Sequence, residues 1–482
     1  MEHQDTFLAK LTALLGPRGL TLDPDLIEPW LTDWRERYHG KALAMASPAN
    51  TQELAALVKL CANHGVPIVP QGGNSGMSGG ATPDGSGTSL LLSLRRMNTI
   101  RALDVQGRQI TCDAGVILEN LHHAAAAEGL RFPLTLGGKG SATIGGLIST
   151  NAGGTQVLRH GSMRALVLGI EAVLADGSIF NALTPLKKDN RGFDLKQLLI
   201  GSEGTLGIIT GATLKLVPAL ADRVVVWAGA PSLQIARALL LDCEAALGDA
   251  LEGFEVLPQS SLDAVLNYLP DARAPLGERH NWHILIEVAA DQASADSLRD
   301  RVEAAISAAF EAELIADAVL SANEAQAEAF WILRDSIAPA ERAKGPALQH
   351  DISVPVEKMP DFVDHAIAAI ERAFPDHQAI AFGHLGDGNV HFHVIAPSGT
   401  ERDAWEAGDG KAISRAVHDM VTAWGGSISA EHGIGQSKRA ELERLSDPVA
   451  LMLMRSVKKA LDPDGILNPG KLVTLAPDSA TA

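Results

Sequence analysis

Pro70-Gln71-Gly72-Gly73-Asn74-Ser75-Gly76-Met77-Ser78-Gly79-Gly80 opens straight from a short apolar run, Val66 to Pro70, and tells more about how the first half folds than any other stretch. Glycines let successive backbone N–H groups converge and let a pyrophosphate approach closely, while Asn74 and Ser75 add side-chain donors. A surface turn has the same composition, and the loop is neither a Walker loop nor a G-x-G-x-x-G that starts a helix. Its flanks are regular. Residues 50–64 read as a helix capped by Asn50, with Glu53 reaching back and Leu54, Leu57, Val58 and Cys61 as one apolar stripe that stops at Gly65. Strands are expected near 66–70, 88–93 and 109–113, and an alanine-rich helix over about 117–127.

Two later segments share the loop's chemistry. Gly137-Gly138-Lys139-Gly140-Ser141-Ala142-Thr143-Ile144-Gly145-Gly146 leads into Ser149-Thr150-Asn151-Ala152-Gly153-Gly154, and Gly201-Ser202-Glu203-Gly204-Thr205-Leu206-Gly207-Ile208-Ile209 follows. Hairpin turns do not require so many; one large anionic cofactor accounts for all of them. Residues 134–161 hold so much Gly, Ser and Thr that no core element is expected there.

In this order, with the closing Asp462-Pro463-Asp464-Gly465-Ile466-Leu467-Asn468-Pro469-Gly470-Lys471, the segments resemble the FAD-linked oxidoreductases of the vanillyl-alcohol oxidase superfamily. Within it, the chain is similar to the D-lactate and D-2-hydroxyglutarate dehydrogenase branch over residues 40–472. The resemblance implies that Pro70, Gly72, Gly73, Asn74, Ser75, Gly76, Met77 and Ser78 wrap the pyrophosphate of FAD. It implies that Leu136, Gly137, Ser141, Thr143, Gly145, Gly146, Ser149, Ala152 and Gly153, with Glu203, Gly207, Ile208 and Ile209, hold the rest, and that Asn468 lies near the ring. Relatives that attach FAD covalently through the first loop carry a His there; Asn74 implies non-covalent FAD.

At 482 residues the chain is too long for one ordinary core, and two or three domains are expected. A formal charge of −18 speaks against nucleic-acid binding, which needs clustered Lys and Arg, and favours solubility. The start, Met1-Glu2-His3-Gln4-Asp5, is unlike a secretory signal, and no run of about 18 apolar residues offers a membrane span. Cys61, Cys112 and Cys243 are scattered and read as reduced, buried thiols, which sets the expectation of a cytoplasmic protein.

After Pro218 the pattern changes. Strands near 224–227 and 283–288 alternate with helices near 232–246, 294–309 and 360–373, which suggests a sheet with helices on one face. The expected fold is therefore α+β. A two-subdomain FAD-binding domain of the vanillyl-alcohol oxidase type covers 1–218, an α+β substrate cap with the metal site covers 219–430, and the segment 431–482 returns to the FAD domain.

Gly383-His384-Leu385-Gly386-Asp387-Gly388-Asn389-Val390-His391-Phe392-His393 is the richest stretch of that second part. Residues 379–383 and 390–395 read as strands joined by the Gly386-Asp387-Gly388 turn, so His384 and His391 can converge at the mouth of a hairpin. His391 and His393, two apart, share one sheet face, and Val390 and Phe392 take the other. Glu431-His432-Gly433-Ile434-Gly435 adds a carboxylate and an imidazole in a glycine turn. Two His and a carboxylate suit a catalytic metal with an open position; histidines bonded to backbone are the plainer alternative.

The resemblance implies that His384, His391 and Glu431 bind the metal, with Zn²⁺ favoured over Mn²⁺, Fe²⁺ or Co²⁺ by the nitrogen-oxygen set. It makes His432 the general base and Arg334, in Trp331-Ile332-Leu333-Arg334-Asp335-Ser336, a clamp for the substrate carboxylate; from local sequence alone Arg334 is equally a surface partner of Asp335. The implied chemistry is chelation of a hydroxy acid by the metal, loss of the hydroxyl proton to His432, and hydride transfer from Cα to flavin N5. Three positions depart from the D-2-hydroxyglutarate enzymes: Ala338 stands for their Thr, Gln349 for their Lys, and His393 for their Asn. These changes weaken recognition of a distal carboxylate, with Arg342, Lys344 or His350 as candidate substitutes. His393 is placed to meet the substrate's own carboxylate.

The expected function is FAD-dependent oxidation of a D-2-hydroxy acid, of the D-lactate, D-malate or D-2-hydroxyglutarate type, to the 2-oxo acid. An FAD-dependent oxidase of a related acid, a metal-dependent hydrolase with purely structural glycine loops, and an electron-transfer subunit of a larger complex stay open. No second cofactor motif is visible, so electrons leave to an external acceptor: an electron-transferring flavoprotein, a quinone or a cytochrome. A homodimer is the commonest association for such a chain.

Overall fold

The computed structural model describes residues 2–186 and 188–475, and the polar tail expected after Pro477 lies outside them. The chain divides into two compact units. The first comprises Met1–Gly153, Gly161–Pro218 and Glu431–Ala482; the second comprises Gly154–His160 and Ala219–Ala430.

In the first unit the helix Thr51–His64 starts as its cap residues dictate. Asn50 Oδ1 accepts the Glu53 N–H at 2.9 Å, the Glu53 carboxylate accepts the Ala49 N–H at 2.8 Å, and Gly65 at φ +63° ends the helix. A four-stranded sheet follows in the order Leu20–Thr21, Ala44–Ala46, Leu90–Ser93, Ile68–Gln71, and its last three strands are parallel. The first glycine loop thus leaves the carboxyl end of a parallel strand, where open α/β sheets bind ligands.

The closing segment adds to that same strand. Ile68 N–H donates to the Ile466 carbonyl and Asn468 N–H to the Ile68 carbonyl, both at 2.8 Å. Lys458 locks the join: its buried ammonium donates to the Thr205 carbonyl at 2.7 Å, the Leu467 carbonyl at 2.9 Å and the Asp462 carboxylate. A lysine is buried only when its donors are so matched.

A five-stranded antiparallel sheet completes this unit, in the order Ile100–Asp104, Gln109–Asp113, Ile208–Lys215, Val167–Val173, Ile179–Ala182. Here one expectation is corrected. Residues 134–161 do contain a core element, the helix Ile144–Thr150, whose Ile144 and Ile148 are fully buried. The glycines that seemed to dilute it are what lets it pack: a Cβ on Gly145 would lie 2.7 Å from Ala114 Cβ.

The second unit is built on a seven-stranded antiparallel sheet. Its order is Asp317–Leu320, Asp222–Ala230, Trp282–Ala290, Leu251–Pro258, Gln378–His384, Asn389–Ile395, Ala347–Ser353. The expectation of helices on one face is also corrected. Residues 224–230 are buried without alternation, as happens when both faces of a strand are covered. Val225 and Trp227 pack with Val265 of Gln259–Tyr268 and Phe330 of Glu324–Asp335 on one face. Leu233–Leu247 and Leu298–Glu311 also pack on this strand, and His350, of opposite parity to its neighbour Gln349, meets Ser414 of the helix Asp409–Ala423. The helix Val157–His160 joins this unit through the Arg159–Glu252 ion pair.

Candidate active site

Register alone sets out the site of the second unit. Glu255 opposes His384, His384 opposes Asn389, His391 lies between Phe382 and Asp351, and His393 lies between Ile380 and Gln349. Directly opposed residues point to the same face, so Glu255, His384, His391, His393, Asp351 and Gln349 form one polar field. The helices Glu324–Asp335 and Ile337–Arg342 cover that face through Leu333, Ile337 and Ala340, which pack on Ile380 and Phe382.

At its centre is Glu255, 1 % exposed. One carboxylate oxygen accepts the Nδ1–H of His384, and the other accepts Arg334 Nε–H at 2.8 Å. Burial by itself pushes this carboxyl up, but the charges of His384 and Arg334 outweigh it and hold the pKa at about 2. Arg334 therefore pairs across the face with Glu255, not with its neighbour Asp335, and its guanidinium carbon sits 5.0 Å from the centre of the Phe382 ring. Its Nη groups have no hydrogen-bond partner among the described residues.

With Nδ1 committed to Glu255, His384 turns Nε2 toward His391 Nε2, 3.4 Å away. The His391 ring is held neutral, its pKa well below the usual imidazole value, by burial first and then by His384 and Arg334. Two nitrogens at this separation suit one cation, since two zinc–nitrogen bonds of about 2.0–2.1 Å at a tetrahedral angle span about 3.4 Å. A carboxylate behind one imidazole is the usual support of such a ligand. Both rings belong to a group of side chains suited to hold a metal ion.

His393 has a carboxylate of its own. Its Nδ1–H donates to Glu341, which is fully buried and also accepts Ser261 Oγ–H at 3.4 Å. Neither Glu255 nor Glu341 is marked by any motif. The only sequence signal was an acid inside an otherwise apolar strand or helix, and that signal points equally to a surface position. Of the three candidate compensating cations, His350 lies on the opposite sheet face, where Nδ1 meets the Phe392 carbonyl at 3.1 Å and Nε2 meets Ser414 Oγ at 3.0 Å. Arg342 and Lys344 are exposed.

In the first unit the glycine segments converge. A Cβ on Gly72 would lie 2.2 Å from Thr143 Oγ1, and one on Gly73 would lie 1.7 Å from the Ser141 carbonyl oxygen. Asn74, at φ +51°, donates from Nδ2 to the Thr32 carbonyl at 2.8 Å. Thr143 caps the helix Ile144–Thr150. Ala152, Ile208 and Ile209 have their side chains in the core, which leaves only their backbone to a ligand.

Glu203 takes an unforeseen role. Its buried carboxylate accepts the N–H groups of Ile434 and Gly435, both at 2.7 Å, while Ser78 Oγ–H donates to the carbonyls of His432 and Gly433. The glycine turn that carries His432 is therefore clamped to the first glycine loop. Asn468 Nδ2 bridges the Gly80 and Glu203 carbonyls at 2.9 and 2.7 Å, and its buried Oδ1 has no partner among the described residues. Gly76 and Gly137 face open space, with nothing within 4 Å of a Cβ built there. Converging open glycines and an orphaned acceptor beside the closing segment fit a dinucleotide cofactor.

Residues 42–182 match the family described as FAD binding domain, and residues 220–472 match FAD linked oxidases, C-terminal domain. The mitochondrial D-2-hydroxyglutarate dehydrogenase of Arabidopsis thaliana is 36% identical over 460 residues, covering 95% of this chain and 80% of the relative. The D-2-hydroxyglutarate dehydrogenase of Xanthomonas citri pv. viticola is 36% identical over 458 residues, covering 94% of each. Among solved structures, p-cresol methylhydroxylase with substrate bound superposes with a TM-score of 0.75 at 15% identity, over 99% of this chain and 98% of that one, and shares the fold.

These relatives overturn the cytoplasmic expectation, because the plant protein is mitochondrial by name while the Xanthomonas one carries no such designation. The three free cysteines are buried, which suits any reducing compartment and does not distinguish among them. No helix among the described residues is long and apolar enough to cross a membrane.

Proposed function

The chain belongs to the FAD-linked oxidases and, within them, to the D-2-hydroxyacid dehydrogenases, and from that membership we propose that it activates the substrate hydroxyl with a divalent cation, zinc, held by His384, His391 and Glu431. The reaction is the FAD-linked oxidation of a D-2-hydroxy acid to the 2-oxo acid.

The observation that carries the metal proposal is Glu255, shared between His384 and Arg334. One buried carboxylate holds an imidazole toward His391 and a guanidinium fork on the same sheet face. Arg334 binds the C1 carboxylate through its unpaired Nη groups, which fixes the 2-hydroxyl relative to the histidines. Glu431 comes to this set from the family resemblance alone. His432 then accepts the hydroxyl proton. A cation bound by these ligands supplies Lewis acidity. FAD, held non-covalently by the glycine segments and Asn468, supplies the hydride acceptor that neither imidazole nor carboxylate can be.

The test is anaerobic mixing of the flavin-loaded protein with D- and L-lactate, D-malate and D-2-hydroxyglutarate, before and after chelation. The expected result is bleaching of the flavin band by D acids only, lost on chelation and restored by Zn²⁺. Undiminished bleaching in protein shown to be metal-free would remove the metal from the scheme. No bleaching by any D acid would remove the substrate class.

A further inference from the structure

We propose that Gln349 and His393, the latter positioned by Glu341, form a subsite that selects D-2-hydroxy acids whose side chain ends in a neutral hydrogen-bonding group and discriminates against dicarboxylates. This rests on the proposed function and names the substrate class of that same site.

Gln349 and His393 are direct cross-strand partners on the face that carries His384 and His391, so their Cβ atoms are about 4.5–5.5 Å apart. Gln349 Nε2 is buried and has no hydrogen-bond partner among the described residues. A buried N–H is seldom left without an acceptor, and one that lines a substrate face points to an acceptor brought by the ligand. His393 is oriented from behind: with Nδ1 on the buried Glu341, its Nε2 points away from that carboxylate. Phe382 closes one side, edge-on to the His393 ring at a centroid distance of 4.9 Å.

Charge decides the class. A carboxylate and an imidazole joined by a hydrogen bond sum to zero charge at most, and the Gln349 amide adds none. Ala338, one turn before Glu341 on the helix Ile337–Arg342, donates nothing. His350 is on the other face of the sheet, Arg342 and Lys344 are exposed, and Arg334 is already balanced by Glu255. A second carboxylate would therefore be desolvated without a counter-charge, which is unfavourable. A hydroxyl or amide oxygen would accept from Gln349 Nε2–H at no such cost.

The experiment is steady-state kcat/KM of the metal- and flavin-loaded protein with D-glycerate, D-lactate, D-malate and D-2-hydroxyglutarate. The expected result is that D-glycerate exceeds D-2-hydroxyglutarate at least tenfold. Gln349→Lys is expected to raise the D-2-hydroxyglutarate to D-glycerate ratio at least tenfold, a gain that misfolding cannot produce. Glu341→Gln is expected to raise KM for D-glycerate with a smaller change in kcat, and Glu341→Asp to recover part of that loss. A tenfold or greater preference for D-2-hydroxyglutarate in the unaltered protein, or an unchanged ratio in Gln349→Lys, overturns the subsite. The dehydrogenase reading still stands in either case, because flavin bleaching by a D acid is scored separately; absence of all bleaching overturns both.

Discussion

Glu255 concentrates the chemistry of the second unit in one side chain. It is buried, and it serves His384 and Arg334 together. Glu255→Gln keeps the volume and removes the charge, leaving a buried guanidinium unpaired. Removing one partner of such a pair costs about 3–5 kcal/mol, and loss of a carboxylate behind a metal-binding histidine lowers affinity about 10–100-fold. The expected outcome is a fall in kcat/KM of at least about tenfold with flavin absorbance retained and metal content reduced. Steady-state assays and elemental analysis on the same preparation check it. Gly435 is the counterpart in the first unit. Its φ is +52° and an added Cβ would lie 2.0 Å from the Ser78 carbonyl oxygen, so Gly435→Ala must move the turn that carries His432. A loss of about 1–3 kcal/mol in stability and weaker flavin retention are expected, read by thermal melting and by flavin released on gel filtration.

Elements were legible where one period or one cap governs them. The helix Thr51–His64 has its apolar stripe, Asn50 at its start and Gly65 at its end, all local features. Asn50→Ala is expected to cost about 1 kcal/mol, measured as a lower urea midpoint at unchanged slope. The hairpin Gln378–His384 with Asn389–Ile395 was legible for the same reason: alternation and a Gly-Asp-Gly turn. The helix Ile144–Thr150 was not, because its place in the core depends on how closely Ala114 approaches Gly145 and on its packing with the strand Ile208–Lys215. The strand Leu251–Pro258 was missed because Glu252 and Glu255 break its apolar pattern, and the partners that neutralise them, Arg159, His384 and Arg334, lie far away in the chain.

At the scale of the whole molecule, Cys61, Cys112 and Cys243 are buried, and burial pushes each thiol from 9.0 up to about 12. A raised thiol pKa means that the folded state holds its proton more tightly. The stability this contributes is complete below pH 9 and is lost as pH rises toward 12. An aromatic disulfide reagent at pH 8 is therefore expected to titrate no thiol in the native protein and three after denaturation. Fast reaction of one thiol in the native state would place it at the surface.

The glycine segments, the GHLGDGNVH stretch and the EHG turn are contiguous, and their residue types restrict the chemistry they can perform; cofactor class, hairpin and candidate ligands follow from sequence alone. Glu255 behind His384, Glu341 behind His393, Glu203 beneath the His432 turn and the buried Gln349 Nε2 came only from the tertiary structure. A buried carboxylate has no local signature, since its position is set by cations and N–H groups that sheet register and chain crossing bring to it. The same acid in solvent would read identically along the chain.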